Sequence, residues 1–198
     1  SGMMRNLVIR STEHEDLMVV VVFAEDNQDV ISLVMNAVKE KFPQITSLQY
    51  CVNQKFNDSL SDQEFVLFAG KNHIMEYMPR FRNTNSQPLQ FKIRPKTFYQ
   101  TNAPQAFKLY SVTAEFADIQ KDDVVYDLYT GTGTIANFVA DCAKKVVGIE
   151  YVEDAVEDAR LNSKENGINN TVFYAGDMAK VLDDDFIKNN DEPDIIIT

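Results

Sequence analysis

From Val124 onward the chain alternates strand-like and helix-like segments with almost no linker between them. "DVVYDLY", "KVVGIEY", "TVFYAGD" and "DIIIT" are short, rich in β-branched residues and apolar nearly throughout. Between them lie "TIANFVADCA", "VEDAVEDARLNSKENG" and "MAKVLDDDFIKNN", which are expected as helices, the second stopping at Gly167. Such alternation leaves few folds open. The strands must be parallel, buried on both faces, and joined by right-handed helical crossovers. The first strand-to-helix connection is "DLYTGTGTI", Asp127 to Ile135. It holds two of the chain's seven glycines, Gly131 and Gly133. Glycines gather where a backbone bends tightly or comes close to something.

The first half reads differently. "NLVIRST" and "LMVVVVFA" are strand candidates joined by a polar turn, and "QDVISLVMNAVKEKF" carries apolar residues at helical spacing until Pro43 stops it. "ITSLQYCV", "EFVLFAG", "HIMEYM" and "LQFKI" are further strand candidates. Residues 3–93 are expected as a smaller α/β or α+β domain with a mostly antiparallel sheet, and residues 94–198 as the parallel-sheet domain. Ser1-Gly2, ahead of Met3-Met4, reads as a cloning scar. A fourth parallel strand ending at Thr198 would leave an open apolar edge, so the chain is expected to be a fragment, truncated at that strand.

Composition narrows the functional classes. A net charge of −11 argues against a general nucleic-acid coat protein. Cys51 and Cys142 are far apart and form no CxxC pair, so reduced buried thiols in a cytoplasmic protein are expected, without a metal site or disulfide. His14 and His73 are isolated and are not read as ligands. Met75 and Met78 are read as core, and Asp183 to Asp185 as a solvated helix face or cap. The longest apolar run, Leu17 to Ala24, is far shorter than the ~20 residues of a membrane helix.

Gly131-x-Gly133-x-x-Ala136 fits the dinucleotide fingerprint of a Rossmann-like fold, which leaves a nicotinamide-dependent oxidoreductase open as an alternative. The acids favour a different guest. Asp127, Glu150 and Asp177 end three successive strands, and ligands of such sheets bind at the strands' carboxyl ends. Three carboxylates suit a diphosphate poorly. They suit S-adenosylmethionine, which offers a sulfonium, an amine, two ribose hydroxyls and an adenine amine, the carboxylate of its methionine lying on helix N-terminal amides. Glu150 is assigned to the ribose hydroxyls and Asp177 to the adenine amine or its neighbourhood. Asp127 is assigned to the glycine turn or the methionine amine. A non-catalytic binding module of the same fold is the third reading.

"FKIRPKTFYQTNAPQAFKLY", then "VVYDLYTGTGTI", then "VVGIEYVEDAVEDARLNSKENGINNTVFYAGD" resembles the RNA uracil-5-methyltransferase family, from about Phe91 to Thr198. The resemblance implies a class I methyltransferase sheet, S-adenosylmethionine as cofactor, and methylation of C5 of a uridine in 23S ribosomal RNA or tRNA, the former favoured. No membrane association and no obligate protein partner are expected. Family cofactor positions fall on Gln100, Tyr129, Thr134, Glu150 and Asp177. Arg94 and Thr97 stand where serines are usual in the family, and Thr130 where cysteine is common. The family's nucleophilic cysteine, which adds to C6 of the uracil, and its carboxylate base follow an Asp-Pro motif after the fourth strand. Both are expected beyond Thr198, and an N-terminal accessory region, often with an iron–sulfur site, is expected to be missing. The fragment itself is expected to bind cofactor weakly or not at all and not to turn over.

Charge is uneven. From Lys71 to Lys108, seven lysines and arginines stand against one acid, Glu76. Arg80, Arg82, Lys92, Arg94 and Lys96 alternate with Phe81, Phe91, Phe98 and Tyr99. A basic stripe with aromatics suits phosphate contact and stacking on an unpaired base, and a uracil must leave its stack to be methylated at C5. The competing reading is a solvated strand face with core aromatics.

Overall fold

The computed structural model describes residues 2–83 and 85–198; Ser1, half of the expected scar, lies outside them. The chain forms two compact units. One comprises residues 1–76 and 92–96, the other 77–91 and 97–198. The boundary expected between residues 93 and 94 falls within the 92–96 stretch, and the two units interleave along the chain. Residues 77–91 return to the second unit because their polar groups close onto it, as described below.

In the first unit, strands β1 (Met4–Ser11), β2 (Leu17–Phe23), β3 (Ser47–Val52) and β4 (Val66–Gly70) form a sheet in the order β1-β2-β3-β4. Helix α1 (Gln28–Lys41) starts at Asn27, whose side chain accepts from the Val30 amide at 3.2 Å. It carries the chain from β2 to β3, which pair in parallel, while β1–β2 and β3–β4 are antiparallel. Two of the three pairings are antiparallel, in line with the mostly antiparallel sheet expected, and the β2–β3 pair is the parallel exception. One face of the sheet, with Val19, Val21, Phe23 and Leu48, buries against Ile31 and Met35 of α1. β5 (Ile74–Met78) and β6 (Leu89–Ile93) form a separate two-stranded sheet, and the division between the units passes through both strands. Met78 is buried in the core, and Met75 is half-buried.

In the second unit, α2 (Ala103–Ala117) precedes β7 (Val124–Leu128), α3 (Thr134–Val139), a 3-10 turn (Ala140–Cys142), β8 (Lys145–Glu150), α4 (Glu153–Glu165), β9 (Thr171–Ala175), α5 (Met178–Val181), α6 (Asp184–Asn190) and β10 (Ile195–Ile197). The strands are all parallel, in the order β10-β7-β8-β9. On one face Val124, Tyr126, Val147 and Ile149 pack against Met178, Val181, Leu182 and Phe186 from the α5–α6 segment. α3 and α4 lie against β8. The α/β Rossmann-like arrangement read from the sequence is present. The segment expected as one helix over "MAKVLDDDFIKNN" is two, because Asp183 caps a new helix by accepting from the Phe186 amide at 2.7 Å. None of the helices of the described residues is long and apolar enough to cross a membrane.

Candidate cofactor-binding site

The glycine turn runs from the end of β7 into α3. Its conformation is left-handed at three positions: Tyr129 (φ 62°), Gly131 (φ 56°) and Gly133 (φ 73°). The two glycines do different work. A Cβ on Gly133 would meet Ala159 Cβ at 2.9 Å and Phe173 Cζ at 3.0 Å, whereas one on Gly131 would meet nothing within 4 Å. Gly133 thus lets the turn close onto α4 and β9, and Gly131 fronts open space. Tyr129 holds a left-handed backbone without being glycine and is 70% exposed. Backbone strain of that kind, kept in place by the surrounding turn, is a mark of functional sites.

The turn is held from behind by polar groups that sequence reasoning did not single out. Asn137 Nδ2 donates to the Gly133 carbonyl at 2.7 Å, and Asn162 Nδ2 of α4 donates to the Thr132 carbonyl at 3.1 Å. Ser163 Oγ donates to Asn137 Oδ1 at 2.7 Å. All three side chains are buried, so each bond is made in a low-dielectric setting where leaving it unmade would be costly. The available signal was an asparagine inside the apolar "IANFVA" and an Asn-Ser pair inside a helix.

The three strand-tip acids occupy three different environments. Asp127 is 2% exposed. Its Oδ2 accepts from Thr130 Oγ1 at 2.5 Å and from the Ala136 amide at 3.0 Å. Burial, with the Glu150 charge adding to it, pushes its carboxyl up to about 6 despite those two bonds. Glu150 is half-buried and spans the turn: Oε2 accepts from the Gly131 amide and Oε1 from the Val152 amide, both at 3.0 Å. Asp177 caps α5, accepting from the Ala179 amide at 3.1 Å. So Asp127 and Glu150 both hold the glycine turn in shape. For Asp177 the bland reading as a helix cap is realised, with the side chain still half exposed to solvent.

"FYQTN" meets the same turn. Thr132 Oγ1 donates to the Phe98 carbonyl at 3.4 Å, and Thr97 Oγ1 donates to Asp158 Oδ2 of α4 at 2.8 Å. Asn102 caps α2, accepting from the Gln105 amide at 3.2 Å. Gln100 is exposed within this pinned loop. Thr134 begins α3, with its hydroxyl 3.4 Å from that of Tyr110.

The basic residues separate. Arg80 is committed to the second unit: it pairs with Asp141 at 2.9 Å and donates to the Gln87 and Asn166 carbonyls, each at 3.0 Å. The Gln90 amide donates to Asn166 Oδ1 at 2.7 Å, and Asn166 Nδ2 returns a bond to the Gln90 carbonyl at 2.8 Å. Arg80 is therefore committed to a structural clamp, with its side chain 14% exposed. Arg82 is exposed, its guanidinium 5.0 Å from the Phe81 ring centroid. In the first unit Lys92 and Arg94 are half-buried and Lys96 is exposed. Of the interleaved aromatics, Phe81, Phe91 and Tyr99 are buried, paired as Phe81–Phe138 (5.5 Å) and Phe91–Tyr99 (5.7 Å). Phe98 alone of the four is exposed. The core reading wins for the other three.

Residues 119–198 match the sequence model of a methyltransferase domain. A Pyrococcus abyssi tRNA (uracil-54, C5)-methyltransferase, solved with S-adenosyl-L-homocysteine, superposes with a TM-score of 0.67 at 26% identity, over 89% of this chain and 40% of that one. The second unit has a class I methyltransferase fold. The chain is also 53% identical over 197 residues to an uncharacterized RNA methyltransferase of Porphyromonas gingivalis, covering all of this chain and 41% of that protein. A counterpart from Bacteroides thetaiotaomicron is 46% identical over 200 residues, with 42% of its length covered. The chain thus spans about two fifths of the length of the RNA methyltransferases it resembles.

Proposed function

We propose that this chain is the cofactor-binding part of an enzyme that methylates C5 of a uridine in RNA, using S-adenosylmethionine. The observation that carries the reading is the glycine turn, open above Gly131 and held by the carboxylates of Asp127 and Glu150, with Asp177 just past the end of the next strand. That set fits a cation bearing hydroxyl and amine donors and opposes a diphosphate. The Pyrococcus abyssi neighbour, a tRNA (uracil-54, C5)-methyltransferase solved with S-adenosyl-L-homocysteine, supports it.

Bound S-adenosylmethionine would supply a methyl group on a sulfonium. Glu150 would accept from the ribose hydroxyls and Asp177 from the adenine amine, while Gln100, Tyr129 and Thr134 would line the remainder. Cys51 and Cys142 are both buried, and burial pushes both thiols up, away from the thiolate that addition to a uracil ring needs. The proposal therefore seats the nucleophile and the base outside residues 1–198.

The test is calorimetry with S-adenosylhomocysteine and NAD on the chain itself. S-adenosylhomocysteine binds, weakly, and NAD does not. Glu150→Ala is expected to weaken binding by roughly 10- to 150-fold, or about 1.5–3 kcal/mol. Preference for NAD would replace the reading with the oxidoreductase one, and an unchanged affinity in Glu150→Ala would remove its ribose role. For the longer protein, tritium release from C5-labelled uridine in 23S ribosomal RNA and in tRNA decides between those substrates. Arg82→Glu and Lys96→Glu should each weaken RNA binding and lower the salt dependence by about one unit of slope; an unchanged slope would exclude those two side chains from the RNA contact.

A further inference from the structure

Asp127 is a buried acid whose surroundings do not balance its charge. Both of its donors, Thr130 Oγ1 and the Ala136 amide, reach Oδ2; Oδ1 receives none among the described residues. The elements packed around it bring no cation to bear. β8 runs alongside with Gly148 opposite Asp127 and ends in Glu150, a like charge. β10 places Ile197 opposite it. α3 contains no titratable side chain. α2 contributes Tyr110, whose hydroxyl is pushed up by burial and also by the Asp127 charge. The buried acid on α4, Asp158, is engaged by Thr97. Such an arrangement raises the proton affinity of the Asp127 carboxyl, and a positive group brought close to it would favour the bare carboxylate.

We propose that capture of the cofactor expels a proton from Asp127 to solvent, so that this carboxyl couples cofactor affinity to pH. The inference rests on the S-adenosylmethionine reading, since it needs a guest with a cationic end. No covalent bond changes; one O–H proton passes to buffer. The free carboxyl titrates at about 6, so a carboxyl ionised throughout in the complex makes affinity rise about tenfold between pH 5 and pH 7 and makes binding at pH 6 release about half a proton. The sign follows from the cation stabilising the charged form: affinity is lost as pH falls.

The experiment is calorimetry at pH 6 in two buffers of different ionisation enthalpy, which counts protons directly. S-adenosylhomocysteine retains the positive amine and should release the proton. Adenosine shares only the ribose and base and should release none. Asp127→Asn keeps an acceptor for Thr130 and Ala136, and should bind S-adenosylhomocysteine with no proton release and no pH dependence between 5 and 7. Thr130→Val, which takes one stabilising bond from the carboxylate, should move maximal release to higher pH, a shift that a merely structural role would not produce. Should Asp127→Asn fail to fold, Thr130→Val and the adenosine comparison still decide. Binding of S-adenosylhomocysteine with no release, or equal release by adenosine, overturns the coupling and leaves the cofactor reading standing. Absence of S-adenosylhomocysteine binding by the folded native chain overturns the coupling in this chain, while the same titration on the longer protein decides the cofactor reading.

Discussion

Phe138→Ala is expected to lower the stability of the second unit by about 3–5 kcal/mol, the range for removing a buried phenylalanine. The ring is 1% exposed and lies within 6 Å of three others: Phe81 at 5.5 Å, Phe107 at 5.8 Å and Tyr110 at 5.9 Å. Four aromatic rings packed on one another cannot close a gap of that size by small rotations. The consequence reaches the site. α3 is six residues long, too short to be stable alone. Its packing, through Phe138, is what keeps the helix start and the glycine turn in place. A urea titration should show a lower midpoint with an unchanged slope. A loss below 1 kcal/mol would mean that the cluster repacks and that something else anchors α3.

Gly133→Ala should be nearly as damaging, at about 2–5 kcal/mol. The left-handed backbone at φ 73° costs a β-carbon roughly 1–2 kcal/mol. Forcing that carbon to 2.9 Å from Ala159 Cβ and 3.1 Å from Asn137 Nδ2 adds about 1–3 kcal/mol of overpacking. Gly131→Ala is the informative control. It pays the backbone term alone, because nothing lies within 4 Å of the new methyl. Its methyl would stand in the space assigned to the cofactor, so it should lose binding out of proportion to stability. Thermal melts paired with S-adenosylhomocysteine titrations separate the two glycines. Equal stability losses in both variants would show that the close approach at Gly133 relaxes freely.

The site was legible in unequal measure. The positions of Asp127, Glu150 and Asp177 at successive strand tips follow from strand–helix alternation, which is a local property. What their side chains do was not legible. Glu150 turned out to bridge two amides of its own neighbourhood, and Asp177 to cap a helix. Asp127 proved to be a buried acid without a counter-charge. The basic stripe fared worst. Charge and aromatic content along the chain cannot say that Arg80 pairs with Asp141, 61 residues away, or that three of four aromatics turn inward.

The sequence by itself determined the parallel sheet, its crossover helices and the glycine turn, because hydrophobic period and glycine placement act within a few residues of where they are read. The interleaved units, the parallel pairing of β2 with β3, the two short helices in place of one and the partner of each buried polar group were decided only in tertiary structure. Each depends on which distant surface a segment meets, and free energies of desolvation and pairing are set by that meeting.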